Sequence, residues 1–399
     1  MVRKPLSLAI GGLLAIAAGI GVGRFVYTPI LPPMVEALSL TKAEAGLIAS
    51  ANFIGYLAGA LLATVRLPGT RRAWLLGSLA VTAICLAGMG ATTAMVSFIV
   101  LRLVAGAASA FALIFSSALV LDRLAVAGRG SLSAVHFAGV GSGIAVSAAL
   151  VAILMSRGAA WSTLWFASAA LTLAASLVVA WMVPSDPVAA GDAAPTARTR
   201  FSAEFIALAA AYGLFGFGYI ITATFIVDMV RGTTAIAHLE PYIWVLFGLS
   251  AAPSVALWTG LGRRWGVLRV FAMASLVEAA GVAASALWLY ASGVIVAAVF
   301  VGGTFMGLTA LGLIGARENG GGDPRGRIAL VTVSFSFGQI LGPAFAGYVY
   351  DATGSLAMPS LVAVAALVLA ALLSIVADAQ RRGADRTANA SLAARKPDA

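Results

Sequence analysis

Charge is what this chain has least of. Asp, Glu, Lys and Arg make up 10% of its 399 residues, against roughly 25% in an ordinary soluble domain, so a soluble globular fold is excluded. Cysteine is nearly absent. The single Cys85 lies in an apolar run, which rules out an intramolecular disulfide and suggests neither a redox nor a metal site. There are two histidines, and no His, Cys and carboxylate set has metal-ligand spacing, so no metal is expected and a membrane enzyme finds no support. No phosphate-binding loop is present, which excludes an ATP-driven pump and nucleotide cofactors. The GVGSG of Gly139–Gly143 follows no strand and reads as helix packing. No filter-like loop separates the apolar runs, which argues against a channel, and no sizeable polar domain is present to make a sensor.

What the chain does have is apolar length. It is 61% hydrophobic with mean hydropathy +1.01, and many runs approach the ~20 residues that a bilayer helix needs. The expectation is an all-α polytopic membrane protein with twelve transmembrane helices: about 6–36, 43–65, 73–91, 95–121, 131–155, 161–183, 204–229, 241–262, 267–290, 293–316, 327–350 and 357–377. The Pro- and Ala-bearing stretch 184–203 reads as a flexible linker between two six-helix halves, 1–183 and 204–377. The polar tail 378–399 is expected to be disordered. The opening has a basic start and an apolar core like a signal peptide, but the apolar run continues past Gly19, so no cleavage is expected.

Lys and Arg set the orientation. Twenty of the twenty-five fall on the face that holds the N-terminus, three (Lys42, Arg157, Arg231) on the opposite face, and Arg24 and Arg102 inside spans. This bias puts both termini in the cytoplasm of a bacterial inner-membrane protein. It also explains the net charge of +10 without nucleic acid. The halves repeat: Gly21–Val35 aligns without gaps to Gly216–Val230, a shift of 195 that carries Gly21, Gly23, Met34 and Val35 onto Gly216, Gly218, Met229 and Val230. Tyr219 takes the place of Arg24. Two six-helix repeats describe a secondary transporter whose halves rock about a central site.

Specific motifs agree. Arg102-x-x-x-Gly106-x-x-x-Ala110 in the fourth helix is similar to the arginine–glycine motif of the major facilitator superfamily. GQILGPAFAG (Gly338–Gly347) resembles its Gly-Pro packing motif, and GRRWGVLR (Gly262–Arg269) its basic cytoplasmic loop motif. Arg263 stands where that loop motif usually carries aspartate, and VRLPGTRRAW between helices two and three lacks it too. The resemblance covers about the first 377 residues, and GIGVGRFVYTPILPPM resembles the YbfB/YjiJ-type branch of bacterial facilitators. It implies a proton-coupled transporter of a small organic solute working by alternating access in a lipid bilayer, expected here as a monomer without cofactor.

The stretch Gly19–Glu36 crowds glycines and prolines around Arg24. Prolines loosen the hydrogen-bond ladder, and an intramembrane arginine costs about 3 kcal/mol or more unless a partner or wet cavity receives it. Arg24 and Arg102 lie at similar depth, roughly 6 and 9 Å outward of their midpoints at 1.5 Å per residue. In the resembling fold both their helices line the cavity, where two guanidinium forks suit a carboxylate or phosphate. The competing expectation is bonding to helix-end carbonyls. Tyr27, Tyr219, Asn52 and Gln339 are further substrate-binding candidates, with helix–helix bonding as their alternative. Tyr56, Tyr212, Tyr242, Trp244 and Trp258 are either part of an aromatic cage or interfacial anchors. Proton-coupling candidates are Glu278, the one carboxylate near mid-span, His136 and Asp228. Arg71, Arg72, Arg263 and Arg264 are expected at a cytoplasmic gate. If the arginines touch no anion, efflux of apolar compounds becomes the alternative function.

Overall fold

In hydrocarbon a chain must satisfy its own backbone hydrogen bonds, and helices do so within a single segment. The computed structural model describes residues 4–65, 67–184, 201–318 and 324–393, and twelve helical spans long and apolar enough to cross a bilayer occur among them. Spans 1 to 6 are Pro5–Leu38, Lys42–Leu62, Arg71–Gly90, Met95–Val126, Gly130–Ser156 and Trp161–Met182. Spans 7 to 12 are Ala203–Gly232, Ala237–Trp265, Val267–Leu287, Ala291–Glu318, Gly326–Thr353 and Ala357–Gly383. Polar caps start several of them. Thr41 and Glu44 form a reciprocal capping box on span 2, Thr70 accepts from Ala73 N on span 3, and Ser202 from Phe205 N on span 7.

Span 1 is not a regular helix. It is α-helical over Pro5–Ile16, widens to a π-helix over Ala17–Val22, turns through 23–26, and resumes as an α-helix over Tyr27–Leu38. The Phe25 N–H reaches back five residues to Ile20 O at 3.3 Å. Pro29, Pro32 and Pro33 bring no N–H to the preceding turn, so part of the carbonyl ladder here is left to outside donors.

Within each group of six, glycines let backbones meet. A Cβ on Gly55 of span 2 would run into the Leu103 carbonyl of span 4. Between the two groups, span 2 packs on span 11 and span 5 on span 8. The 195-residue repeat becomes physical here. Thr28 Oγ1 donates to Ala223 O at 2.8 Å, and Glu36 pairs with Arg231, both pairs being separated by 195 positions. Equivalent residues that touch lie on the pseudo-two-fold axis between the repeats.

The side-chain bonds that join the two groups gather toward the face opposite the N-terminus. Beside the two axial pairs, Lys42 Nζ meets Asp228 Oδ1 at 2.6 Å. Asp351 accepts from Lys42 N and Ala43 N at 3.0 Å each. Ser50 Oγ donates to Ile340 O at 2.7 Å, and Trp244 Nε1 to Phe25 O at 3.1 Å.

Two expectations change. The last helix does not stop near residue 377 but continues to Ala393. The tail ADAQRRGADRTANASLA is rich in Ala and Arg with one glycine, a composition that sustains a helix outside the bilayer, and Asp378 pairs with Arg382 one turn on. Disorder from 378 is therefore corrected. The linker expected at 184–203 falls almost entirely on residues 185–200, outside the described residues.

Candidate functional site

The broken part of span 1 is finished by side chains from two other spans. Arg102 of span 4 donates through Nη1 to Gly23 O at 3.3 Å and through Nη2 to Arg24 O at 3.1 Å. Trp244 of span 8 supplies Phe25 O, the acceptor that Pro29, four residues on, cannot serve. Three consecutive carbonyls of the turn are thus held by donors from outside the helix. Arg102 is 2% exposed, and its guanidinium lies 4.9 Å from the Tyr27 ring. It braces span 1 through both terminal nitrogens, while its Nε has no hydrogen-bond partner among the described residues.

The second guanidinium belongs to Arg24, which is 6% exposed. Its guanidinium carbon lies 4.4 Å from the Phe53 ring centre, 4.7 Å from Tyr56 and 5.4 Å from Phe25. Cation–π contact of this kind contributes about 0.5–2 kcal/mol per desolvated pair. It does not replace hydrogen bonds, and Nε and Nη2 have no hydrogen-bond partner among the described residues. No carboxylate pairs with Arg24 there either.

Facing Arg24 is its repeat mate, Tyr219, close enough to interact electrostatically. The Tyr219 hydroxyl is bonded to Gln339 of span 11, which leaves the other end of that amide without a partner. Tyr219 also lies within the electrostatic reach of Glu278. Glu278, on span 9, is fully buried beside Thr304, and neither carboxyl oxygen makes a hydrogen bond of ordinary geometry. Tyr219, bonded to Gln339, is thus within electrostatic range of both Arg24 on span 1 and Glu278 on span 9. Rings pack here too, with Tyr219 stacked on Phe305 at 5.5 Å and Phe25 edge-on to Phe305 at 5.8 Å.

Other candidates are drawn into packing. Tyr27 donates to Ala45 O at 2.8 Å, and Asn52 Nδ2 to Arg102 O at 3.0 Å. Tyr212 and Trp258 donate to the carbonyls of Thr309 and Gly303, while Tyr242 is exposed. His136 bonds Ser117 at 3.2 Å, across spans 5 and 4. Asp228 stands at the opposite face in its pair with Lys42. Arg71 pairs with Asp122 at 3.8 Å and Arg72 donates to Val183 O, both within the first six spans; Arg263 and Arg264 are exposed. The ion pairs that join the two groups are on the other face, around a cavity of about 370 Å³ lined by Glu36, Lys42, Asp228, Arg231 and Tyr350. Phe53, the ring nearest Arg24, was not singled out from the sequence. Its i, i+3 spacing with Tyr56 was the available signal.

Tyr27→Phe removes one buried hydroxyl and leaves the Ala45 carbonyl to its helix bond. A loss of about 1 kcal/mol in stability is expected, with ligand binding unchanged. Thermal unfolding of the purified protein checks the first and titration the second; weakened binding would return Tyr27 to the site.

Twelve spans in two repeats, clasped at one face around a buried cation, define a membrane transporter of the major facilitator type. The chain belongs to the family described as "Uncharacterised MFS-type transporter YbfB", which it matches over residues 16–375. Solved structures share the fold. A mutant of the nucleoside transporter NupG superposes with TM-score 0.74 at 15% identity, covering 94% of this chain and 99% of that one. NupG itself gives 0.66 at 17% identity, with 94% and 98% covered. A bacterial homologue of the human lysosomal transporter Spinster, inward-facing and unoccupied, gives 0.66 at 16% identity, with 94% and 97% covered. No curated protein matches the sequence.

Proposed function

We propose that this protein is a secondary active transporter that moves a small organic anion across the bacterial inner membrane, coupled to protons. The observation that carries the reading is Arg24: a buried cation with two unpartnered nitrogens and no acidic partner among the described residues. A buried charge left alone costs several kcal/mol, and a bound anion offsets that cost where no protein group does. With the termini in the cytoplasm, as the basic residues indicate, the clasp lies on the periplasmic side. Alternating access then requires the Lys42–Asp228 and Glu36–Arg231 pairs to separate. The expected monomer accords with a substrate path built within one chain.

Glu278 supports the proton side of the reading. It is buried, unpaired and, like Arg24, within electrostatic range of Tyr219, so the protonation of one and the occupancy of the other share a field. In proteoliposomes, saturable uptake of an identified anion should exceed equilibrium under an imposed pH step. Glu278→Gln should abolish that accumulation while leaving counterflow exchange within about threefold of wild type. Purely downhill, non-saturating flux would instead make the protein a channel. Accumulation undiminished in Glu278→Gln would remove that residue from coupling.

A further inference from the structure

The shape of the Arg24 site restricts its anion more narrowly. Nε and Nη2, the two unpartnered nitrogens, share one edge of the guanidinium. Their N–H bonds run parallel and match the two oxygens of a single carboxylate. The guanidinium lies over the apolar rings of Phe53 and Tyr56, at 4.4 and 4.7 Å from their centres, which offer no hydrogen-bond acceptor of ordinary strength there. Approach is therefore along the edge.

Hydrogen-bond geometry limits the ligand further. The other arginine at this depth, Arg102, keeps its charge and an unpartnered Nε, but both its terminal nitrogens are on the carbonyls of Gly23 and Arg24, so the Arg24 edge is the one that offers two partner-free nitrogens among the described residues. One carboxylate fills that edge. A second carboxylate would be buried without a matching pair of N–H donors to offset its desolvation. Beyond the edge the surroundings are aromatic: Phe25 is both in contact with Arg24 and edge-on to Phe305, and Phe305 is stacked on Tyr219. A ring carried by the ligand finds offset and edge-on partners there.

We propose that the Arg24 site takes an aromatic monocarboxylate, held through its carboxylate on the Nε/Nη2 edge with its ring among Phe25, Phe305 and Tyr219. This rests on the anion reading above and adds a class to it.

The test is a thermal-shift and tryptophan-fluorescence titration of the purified full-length protein with five probes: 1-naphthoate, 1-naphthamide, naphthalene-1,4-dicarboxylate, 1-naphthyl phosphate and butyrate. The expected result is saturable binding of 1-naphthoate, with the amide weaker by roughly 10- to 100-fold, the loss of one or two charge-assisted hydrogen bonds. Both dianionic probes and the ringless butyrate should be weaker by at least about tenfold. Arg24→Lys should weaken naphthoate by a similar 10- to 100-fold. Tighter binding of a dianion that still depends on Arg24 would overturn the monocarboxylate class and leave the anion reading standing. Butyrate equal to naphthoate would overturn the aromatic part. Equal binding of amide and acid to wild type and Arg24→Lys would overturn both readings. No binding of naphthoate would overturn the class alone, since the flux test of anion transport does not use these probes. Should Arg24→Lys fail to fold, the wild-type ranking of the five probes still decides.

Discussion

Replacing Arg102 by methionine is expected to destabilise the protein by about 2–4 kcal/mol, although it removes a buried charge. Two effects oppose. Taking the guanidinium out of an apolar interior recovers about 3 kcal/mol. It also strips the side-chain donors that Gly23 O and Arg24 O have among the described residues, in a turn where the Thr28 N–H goes to Phe25 O instead of Arg24 O, and each orphan within the bilayer costs several kcal/mol. Two orphans outweigh one relieved charge. Arg102→Lys keeps the charge with a single point of donation and should fall between wild type and methionine. The check is the apparent melting temperature of the detergent-solubilised protein, together with 1-naphthoate affinity, because Arg24 is carried on the braced turn. A methionine variant as stable as wild type would mean that water, not Arg102, satisfies those carbonyls.

Glycine-to-alanine changes at two positions on span 2 should act in opposite ways. At Gly55 the added methyl meets the Leu103 carbonyl within the first six spans; at Gly46 it meets the Pro343 carbonyl of span 11, across the interface. Overpacking costs about 1–3 kcal/mol in either place. Spans 2 and 4 belong to the same repeat and stay together in every state, so Gly55→Ala should lower stability throughout the cycle. Spans 2 and 11 part when the opposite face opens, so Gly46→Ala should leave the open form untouched and shift the population toward it by roughly 5- to 150-fold. Maleimide labelling of Met229→Cys, in a background where the one native thiol, Cys85, is replaced, reads the difference. Labelling should accelerate in Gly46→Ala and not in Gly55→Ala. Equal acceleration in both would mean that the halves do not move as units.

The fold was legible because its determinants are one-dimensional. Apolar run length gave the spans, and the 195-residue shift is realised as contacts between Thr28 and Ala223 and between Glu36 and Arg231. Arg24 was legible as a cation with no local reason to be there. Arg102 was not separable from it, because whether a guanidinium meets substrate or backbone depends on which carbonyls a π-helix and a turn release, and on which span lies opposite. The aromatic walls come from span 2 and the Tyr219–Gln339 pair from spans 7 and 11; no single window contains them. Arg71, Arg72, Arg263 and Arg264 were expected to form the gate, yet the clasp is at the other end of the molecule. A structure displays one conformation of an ensemble, and the clasped face is the one displayed here.

The carboxylate of Asp351 accepts the first two amides of span 2 from across the interface. Span 2 also carries its own cap in Thr41 and Glu44, so the helix survives separation, but under the proposed alternating access the N–H groups of Lys42 and Ala43 lose their acceptor each time the clasped face opens. Their hydrogen–deuterium exchange is then a clock on the transport cycle. In the clasped form the two amides are protected, and in the open form they face water, so their exchange rate measures the fraction of time spent open. A ligand that pulls the protein toward either state should slow or quicken these two amides while those deep in span 2 keep their pace. The balance between the clasped and open forms becomes readable in a protein carrying no label but deuterium.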